Sequence, residues 1–256
     1  MSRPLLAALV DDAALFPPGN APMPAAVAGH RRHRTGPHAE LLGRFLCPAS
    51  RLGELQEQLT GGPPLRLGLI ADSGVPELLT AVAAARADGR LAVEAVELRL
   101  PADPGQLADL PADLPAYVEV PPDRPDALDL VAAAGRGAKL RTGGPSPQAF
   151  PRVERVAAFL TGCTDRGLAY KCTAGLHSAV RHPPYHGFLN VLLGAHAAGT
   201  GGDVAGALAK QDAAVLAAAV RAIDPAAAAE TRRRYAGFGS CDLAEPVADL
   251  TALGLW

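Results

Sequence analysis

Two short segments of the chain set a lysine among apolar residues and end in glycine-containing turns. They read GAKLRTGG, from Gly137 to Gly144, and LAYKCTAGLH, from Leu168 to His177. Of the 24 lysine and arginine residues, only Lys139, Lys171 and Lys210 are lysines, so arginine supplies positive charge elsewhere. Lysine can lose its proton where its surroundings lower its pKa, which arginine does not do in proteins. The two segments are therefore candidates for chemistry that needs an amine.

Composition limits the classes of protein to which the chain can belong. A length of 256 residues suits one α/β barrel. A hydrophobic content of 49% and a net charge of -2 indicate a globular protein and favour neither nucleic acid nor an anionic membrane as partner. No apolar run reaches the roughly 18 residues of a membrane span, and the N-terminus lacks a signal-peptide layout. The 4 cysteines form no C-x-x-C pair, so we expect reduced thiols and a cytoplasmic location.

Strand-like runs alternate with alanine- and leucine-rich helical stretches along the chain. The predicted strands are Ala8–Phe16, Gly43–Pro48, Leu65–Asp72, Val93–Pro101, Ala116–Pro121, Gly137–Thr142, Leu168–Gly175 and Ala236–Leu243. This alternation predicts an α/β protein, a closed (β/α)8 TIM barrel, as a single domain over residues 1–256. The alternative, a doubly wound open sheet, usually carries a glycine-rich loop after its first strand, where this chain has PPGNAP. A helical and loop insertion is expected around residues 177–235, between strands 7 and 8.

Charged side chains share one face of the predicted strands. By period-two alternation, the set that converges on the barrel interior is Glu97, Glu119, Lys139 and Lys171, joined by Asp11 or Asp12. Neighbouring strands lie about 4.7–4.9 Å apart, so Lys139 and Lys171 would repel each other. Repulsion and desolvation lower a lysine pKa and free an amine to form a Schiff base, with Glu97 as proton relay. The opposing interpretation is a structural Glu119–Lys139 ion pair, which would raise the lysine pKa.

In this order, the segments resemble class I, Schiff-base aldolases of the deoxyribose-phosphate aldolase type over most of the chain. The first strand, LVDDAALF, is similar to the family's ID-x-T-x-L opening, with Asp11 at its aspartate as a supporting acid. VELRLP resembles the VDxxxP strand, with Glu97 at the proton-relay aspartate, and YAGFGSCDL resembles the closing strand. AKLRTGG resembles IKTSTG, with Lys139 at the Schiff-base lysine, and YKCTAGLH sets Lys171 at the second lysine, which lowers the pKa of the first. The resemblance implies a carbon–carbon lyase for a small aldehyde or ketone, with no cofactor and no metal.

The chain departs from that family where the family binds a substrate phosphate. The family uses amides of a Gly-Gly turn, an arginine and serines, and these positions here read Ala174-Gly175, His177 and Cys241-Asp242. The carboxylate of Asp242 would repel a phosphate dianion, so we expect an unphosphorylated substrate. The residues expected to bind it are Glu119, Arg141, Thr142, Thr173, Gly175, His177, Ser240 and Asp242.

The segment HSAVRHPPYHGFLN after strand 7 is absent from the family pattern and carries His177, His182 and His186. We expect a substrate-facing loop, with an ordinary surface loop and a metal site as alternatives. The metal site ranks last, because the PP dipeptide breaks helical spacing and no H-E-x-x-H is present. Two other functions stay open: an accessory barrel that binds without catalysis, and a metal-assisted lyase or hydrolase using Glu97, Glu119 and these histidines. The expected partner is a small molecule, neither nucleic acid nor membrane, and a homodimer is an alternative to a monomer.

Overall fold

A computed structural model describes residues 3–121, 124 and 126–256, and within them the chain forms a closed barrel of parallel strands in sequential order. The strands are β1 (Val10–Asp12), β2 (Leu42–Pro48), β3 (Leu65–Ile70), β4 (Leu91–Arg99), β5 (Ala116–Glu119), β6 (Gly137–Arg141), β7 (Tyr170–Thr173) and β8 (Tyr235–Ser240). Each pairs with its chain neighbours, and β8 closes the barrel by pairing with β1. The predicted single-domain (β/α)8 TIM barrel is confirmed.

Helices connect the strands on the outside of the barrel. They are α1 (Arg3–Leu6), α2 (Met23–Thr35), α3 (Leu52–Gln58), α4 (Val75–Ala87), α5 (Ala127–Ala133), α6 (Val153–Asp165), α7 (Phe188–Thr200), α8 (Val204–Ala209), α9 (Ala213–Ala222), α10 (Pro225–Arg234) and α11 (Ala244–Ala252). The long connection between β7 and β8 contains α7 to α10. Within the described residues, no helix combines the length and the apolar character needed to cross a membrane.

Local sequence explains where several helices start and stop. Asp203, Asp212 and Asp224 each accept a hydrogen bond from a backbone N–H in the first turn of the helix that follows, which satisfies a donor left free by helix geometry. After α6, Gly167 has φ +65° and turns the chain toward β7. Gly201 ends α7 in the same left-handed region.

The strands divide an apolar outer layer from a polar interior. Val96, Leu98, Val118 and Leu140 are fully buried in the core between the strands and the helices. The residues that alternate with them include Glu97 and Lys139, which are also buried and contact each other. The alternation predicted from the sequence therefore holds on β4, β5 and β6.

Strands β1 and β8 are shorter than the sequence pattern predicts. The Ala14 amide donates to Asp12 Oδ1 at 3.1 Å, which turns the chain immediately after β1. Ser240 Oγ donates to the Asp242 carbonyl at 2.7 Å and bends the chain at the end of β8. Side-chain bonds of this kind compete with the strand ladder, so the apolar residues Ala13 to Phe16 lie outside it.

Candidate active site

Two lysines occupy neighbouring positions on adjacent strands. Lys139 of β6 and Lys171 of β7 are partners in the parallel register, and both side chains are buried. Lys139 Nζ lies 3.1 Å from Glu97 Oε2 and 3.2 Å from Glu119 Oε2. Lys171 Nζ lies 2.5 Å from Glu97 Oε1 and 2.6 Å from Asp11 Oδ2. The convergence predicted from strand alternation is therefore present.

Glu97 joins the two lysines, since each of its oxygens accepts a hydrogen bond from a different ammonium group. Burial alone would raise the pKa of Glu97, but the charges of Lys171 and Lys139 outweigh it and lower that pKa. Glu97 is consequently a carboxylate at neutral pH and lies within proton-transfer distance of both amines.

Asp11 is held by an arginine that the sequence analysis did not select. Arg44 of β2 donates to Asp11 Oδ1 from Nε at 3.1 Å and to Oδ2 from Nη2 at 3.0 Å, and its amide donates to Oδ1 at 2.8 Å. Burial raises the pKa of Asp11, but Arg44 and Lys171 outweigh it and hold that pKa well below its usual range. The signal for Arg44 was a lone charge in the apolar strand LGRFLCP.

The two aspartates of β1 have different roles. Asp11 joins the lysines, whereas Asp12 accepts a hydrogen bond in the outer layer, where its Oδ2 lies 2.9 Å from Nδ1 of the buried His30 on α2. The alternation along the strand explains this division, because consecutive side chains point to opposite faces of a sheet. Asp11 is therefore the aspartate of the candidate site.

Three carboxylates face three cations in this interior, which we call the charge cluster: Asp11, Glu97, Glu119, Arg44, Lys139 and Lys171. Burial by itself lowers the pKa of Lys171, but Asp11 and Glu97 outweigh it and raise that pKa, so Lys171 is cationic at neutral pH. The Glu119–Lys139 ion pair, predicted as the structural alternative, is also present. Each lysine thus contacts two carboxylates in addition to lying beside the other lysine.

Tyr117 of β5 packs against the cations of the charge cluster. Its ring centroid lies 5.7 Å from the Arg44 guanidinium carbon and 5.9 Å from Lys171 Nζ. Cations within about 6 Å of an aromatic ring are attracted by its quadrupole. Tyr117 therefore helps to fix the position of Lys171 without altering the charge balance.

The polar residues predicted to bind substrate fall into two groups. Thr142 and Ser240 are buried, and their hydroxyls already donate to backbone carbonyls, Thr142 to Ala174 at 2.6 Å and Ser240 to Asp242 at 2.7 Å. A Cβ on Gly175, which has φ +75°, would lie 3.0 Å from Gly143 Cα, so this glycine permits close packing of two loops. These residues position the strand ends.

The other group lies farther out on the loops. His177 Nδ1 lies 2.7 Å from Glu245 Oε2, and Asp242 accepts from the Ala244 amide at 2.7 Å, so both residues contact the first turn of α11. Thr173 ends β7 and is half-buried, while Arg141 ends β6 and is exposed. None of the hydrogen bonds formed by His177 and Asp242 in the described structure reaches the charge cluster.

The three histidines of the loop after β7 have separate partners. His182 stacks on Tyr185 with ring centroids 5.0 Å apart. His186 is buried, its Nε2 lies 2.6 Å from the Pro151 carbonyl oxygen, and burial lowers its pKa. Across residues 3–121, 124 and 126–256, no group of three or more His, Cys, Asp or Glu side chains is arranged to hold a metal ion.

A cavity of about 930 Å³ opens beside the charge cluster, at the C-terminal ends of β4, β5 and β6 and the start of α6. Glu119 lines it, and so do Arg99, Arg141 and the apolar side chains of Leu100, Val120 and Leu140. The C-terminal ends of the strands are where barrel enzymes bind their substrates. The charge cluster and this cavity together define a candidate active site in a TIM barrel.

Comparison of the chain with protein-family models, with curated proteins and with solved structures finds no match.

Proposed function

We propose that the protein is a Schiff-base-forming lyase that makes or breaks a carbon–carbon bond in a small aldehyde or ketone, similar to class I aldolases of the deoxyribose-phosphate aldolase type. The observation that carries this proposal is the pair of register-matched buried lysines that share the carboxylate of Glu97. This arrangement supplies an amine, a fixed positive charge and a proton carrier within one interior.

Lys139 is the nucleophile in this proposal. Its side chain is 6% exposed, against 1% for Lys171, and it lines the same end of the barrel as Glu119, which borders the cavity. Lys171 is less suited, because two carboxylates at 2.5 and 2.6 Å hold its proton. Lys171 instead supplies the positive charge that favours the neutral form of a neighbouring amine.

The reaction begins when the Lys139 ammonium gives a proton to Glu97 or Glu119. The free amine attacks the substrate carbonyl carbon, and one proton moves from the attacking nitrogen to the carbonyl oxygen, directly or through water, to give a carbinolamine. Glu97, directly or through water, supplies the second proton with which that hydroxyl leaves as water, and an iminium ion results. In a substrate with a hydroxyl group on the β carbon, a carboxylate of the charge cluster or a water takes the hydroxyl proton, and the electrons of the neighbouring carbon–carbon bond move into the iminium to give an enamine while the second carbonyl compound leaves. The same proton then returns to the enamine carbon, and hydrolysis of the resulting product iminium restores Lys139.

The residues around the strand ends support an unphosphorylated substrate. Asp242 follows β8 as an exposed carboxylate, and its negative charge opposes a dianion at that strand end. Of the predicted binding residues, Glu119 and Arg141 line the cavity, and Thr173 is the register partner of Arg141.

Reductive trapping tests the proposal. The protein is incubated with a panel of small aldehydes and ketones, reduced with borohydride, and digested for mass spectrometry. We expect an adduct on Lys139 and none on the exposed Lys210. The matched variant is Lys139→Arg, which keeps a positive charge beside Glu97 and Glu119 but cannot form an imine. Equal labelling of Lys139 and Lys210, or undiminished labelling of the barrel in the variant, would overturn the proposal.

A non-catalytic, accessory barrel is the second candidate, and the ion pairs favour it. Glu119 contacts Lys139 at 3.2 Å, and Lys171 is paired twice, which is how structural charges are stabilised in a protein interior. This candidate predicts no adduct with any carbonyl compound. The metal-assisted lyase or hydrolase has no such support, since His177, His182 and His186 contact Glu245, Tyr185 and Pro151.

A further inference from the structure

The cavity beside the charge cluster is unusually rich in arginine. Of the residues that line it, four are arginines, and they come from three different elements: Arg99 at the end of β4, Arg141 at the end of β6, and Arg152 and Arg155 at the start of α6. Two carboxylates, Glu119 and Glu154, line the same cavity. One of them, Glu119, is already bound to Lys139. The cavity therefore carries a net positive charge.

These arginines lack the carboxylate partners that several other arginines of the protein have. Arg66, for example, binds Glu94 through two hydrogen bonds, and Arg166 binds Asp129. Within the described residues, Arg99, Arg141 and Arg152 form no ion pair. Arg155 donates from Nη2 to the Pro121 carbonyl at 3.4 Å, while its buried Nε has no partner. Buried donors are nearly always hydrogen-bonded, so Arg155 Nε is free to donate to whatever occupies the cavity, whether water or a ligand group.

The position of two of the arginines on α6 strengthens this argument. Arg152 is the N-cap residue and Arg155 lies in the first turn. The N-terminus of a helix carries partial positive charge, so cations there are unfavourable and anions are favourable. An anion bound in the cavity would offset both the helix dipole and the guanidinium charges.

Two of the arginines, Arg99 and Arg141, lie one step from the charge cluster toward the barrel opening. Arg141 follows Lys139 by two positions on β6, and Arg99 follows Glu97 by two positions on β4. Residues two apart on a strand share a face and are separated by about 6.6 Å along it. Glu119 is the register partner of Arg99 on one side and of Lys139 on the other. A short molecule can therefore reach from the arginines to the amine.

We infer that the arginines in this cavity bind the carboxylate of an oxo acid whose carbonyl group reaches Lys139. This inference rests on the proposed Schiff-base function and names its substrate class. Guanidinium groups match the planar, two-oxygen geometry of a carboxylate. Arg99 and Arg141 are on the same strand face as Glu119 and Lys139, so the carboxylate and the carbonyl of one short molecule can lie along that face.

The first arm of the test measures binding without any carbonyl chemistry. Isothermal titration calorimetry compares butanoate with butanamide, which has the same shape and no charge. We expect butanoate to bind and butanamide to bind at least about tenfold more weakly, because charge-assisted hydrogen bonds are lost. Arg141→Gln and Arg99→Gln should each weaken butanoate about tenfold or more. The control Arg86→Gln, which alters an exposed ion pair with Asp113 on the outer surface, should not.

The second arm measures borohydride-trapped adduct on Lys139 with 4-oxobutanoate and with butanal. We expect 4-oxobutanoate to saturate at a concentration at least about tenfold lower than butanal, and Arg141→Gln to remove this advantage. Failure of both aldehydes to form an adduct, with arginine-dependent butanoate binding intact, would refute the lyase and leave the carboxylate site standing. Equal trapping of the two aldehydes, equal butanoate binding by Arg141→Gln and Arg86→Gln, or tighter binding of inorganic phosphate than of butanoate would each overturn the carboxylate site.

Discussion

Replacing Glu97 with glutamine perturbs the one residue that both lysines share. The substitution keeps the shape of the side chain but removes a buried negative charge that accepts hydrogen bonds from Lys139 at 3.1 Å and from Lys171 at 2.5 Å. Two ammonium groups then face only Asp11 and Glu119. Breaking one partner of a buried ion pair costs about 3–5 kcal/mol. Because total stability is typically about 5–15 kcal/mol, we expect a severe loss.

The matched control lies on the same strand. Glu94 of β4 binds Arg66 at 2.7 Å, and both side chains are 34% exposed. Exposed pairs contribute about 0–1 kcal/mol, so Glu94→Gln should lower stability by about 1 kcal/mol or less. Urea denaturation of the two variants and the parent protein, followed by circular dichroism, gives the comparison. Equal losses in Glu97→Gln and Glu94→Gln would refute the description of Glu97 as the centre of a closed charge cluster.

The pH dependence of stability supplies a second readout of the same substitution. The pKa of Glu97 is lowered in the folded protein. Its contribution to stability is therefore fully present above the unfolded pKa of about 4.3 and is lost as the pH falls through the lower folded pKa. The difference in stability between the parent protein and Glu97→Gln should be constant near neutral pH and should shrink below about pH 4. A difference that grows on acidification would contradict the sign of the shift.

Three further substitutions test the packing of the barrel and of the site. Arg44→Met removes the two-point contact with Asp11. Because Arg44 is largely buried, we expect the free energy of unfolding in urea titrations to fall by about 3 kcal/mol. A decrease below about 1 kcal/mol would contradict this expectation. Gly237→Ala places a Cβ against the Leu9 carbonyl oxygen at φ +124° and should lower the stability measured by thermal unfolding by about 2 kcal/mol or more. Gly53→Ala, in α3 with open space around it, should be neutral or stabilising by about 0.5–1 kcal/mol in the same assay.

The fold follows from the sequence because its signals are local. Alternating apolar positions define the faces of β4 to β7, and Gly167 supplies the left-handed turn between α6 and β7. Adjacent parallel strands then bring Lys139 and Lys171 together without further information, since the register of β6 and β7 pairs them directly. The strand ends were predicted less accurately, because a hydrogen bond accepted by Asp12 and one donated by Ser240 turn the chain where the apolar pattern continues.

The partners of individual polar side chains could not be predicted in the same way. Asp11 binds Arg44, which is 33 residues away in sequence. The sequence of neither strand indicates that these two side chains are partners. His177 and Asp242 follow strands β7 and β8 and were therefore expected to bind substrate, yet both contact α11. The orientation of that helix depends on the packing of the whole outer layer. The grouping of the arginines in the cavity could not be predicted either, because they come together only when β4, β6 and α6 are assembled.

The most direct test of the central claim is the rate at which each lysine reacts with a small acylating reagent at neutral pH. Acetic anhydride is applied at limiting concentration, and the labelled fractions of Lys139, Lys171 and Lys210 are measured by mass spectrometry over time. A nucleophilic amine in the barrel predicts that Lys139 reacts faster than the exposed Lys210, although it is almost buried, and that Lys171, held as a cation by Asp11 and Glu97, reacts slowest. Reaction of Lys139 at or below the rate of Lys210 would contradict the Schiff-base account.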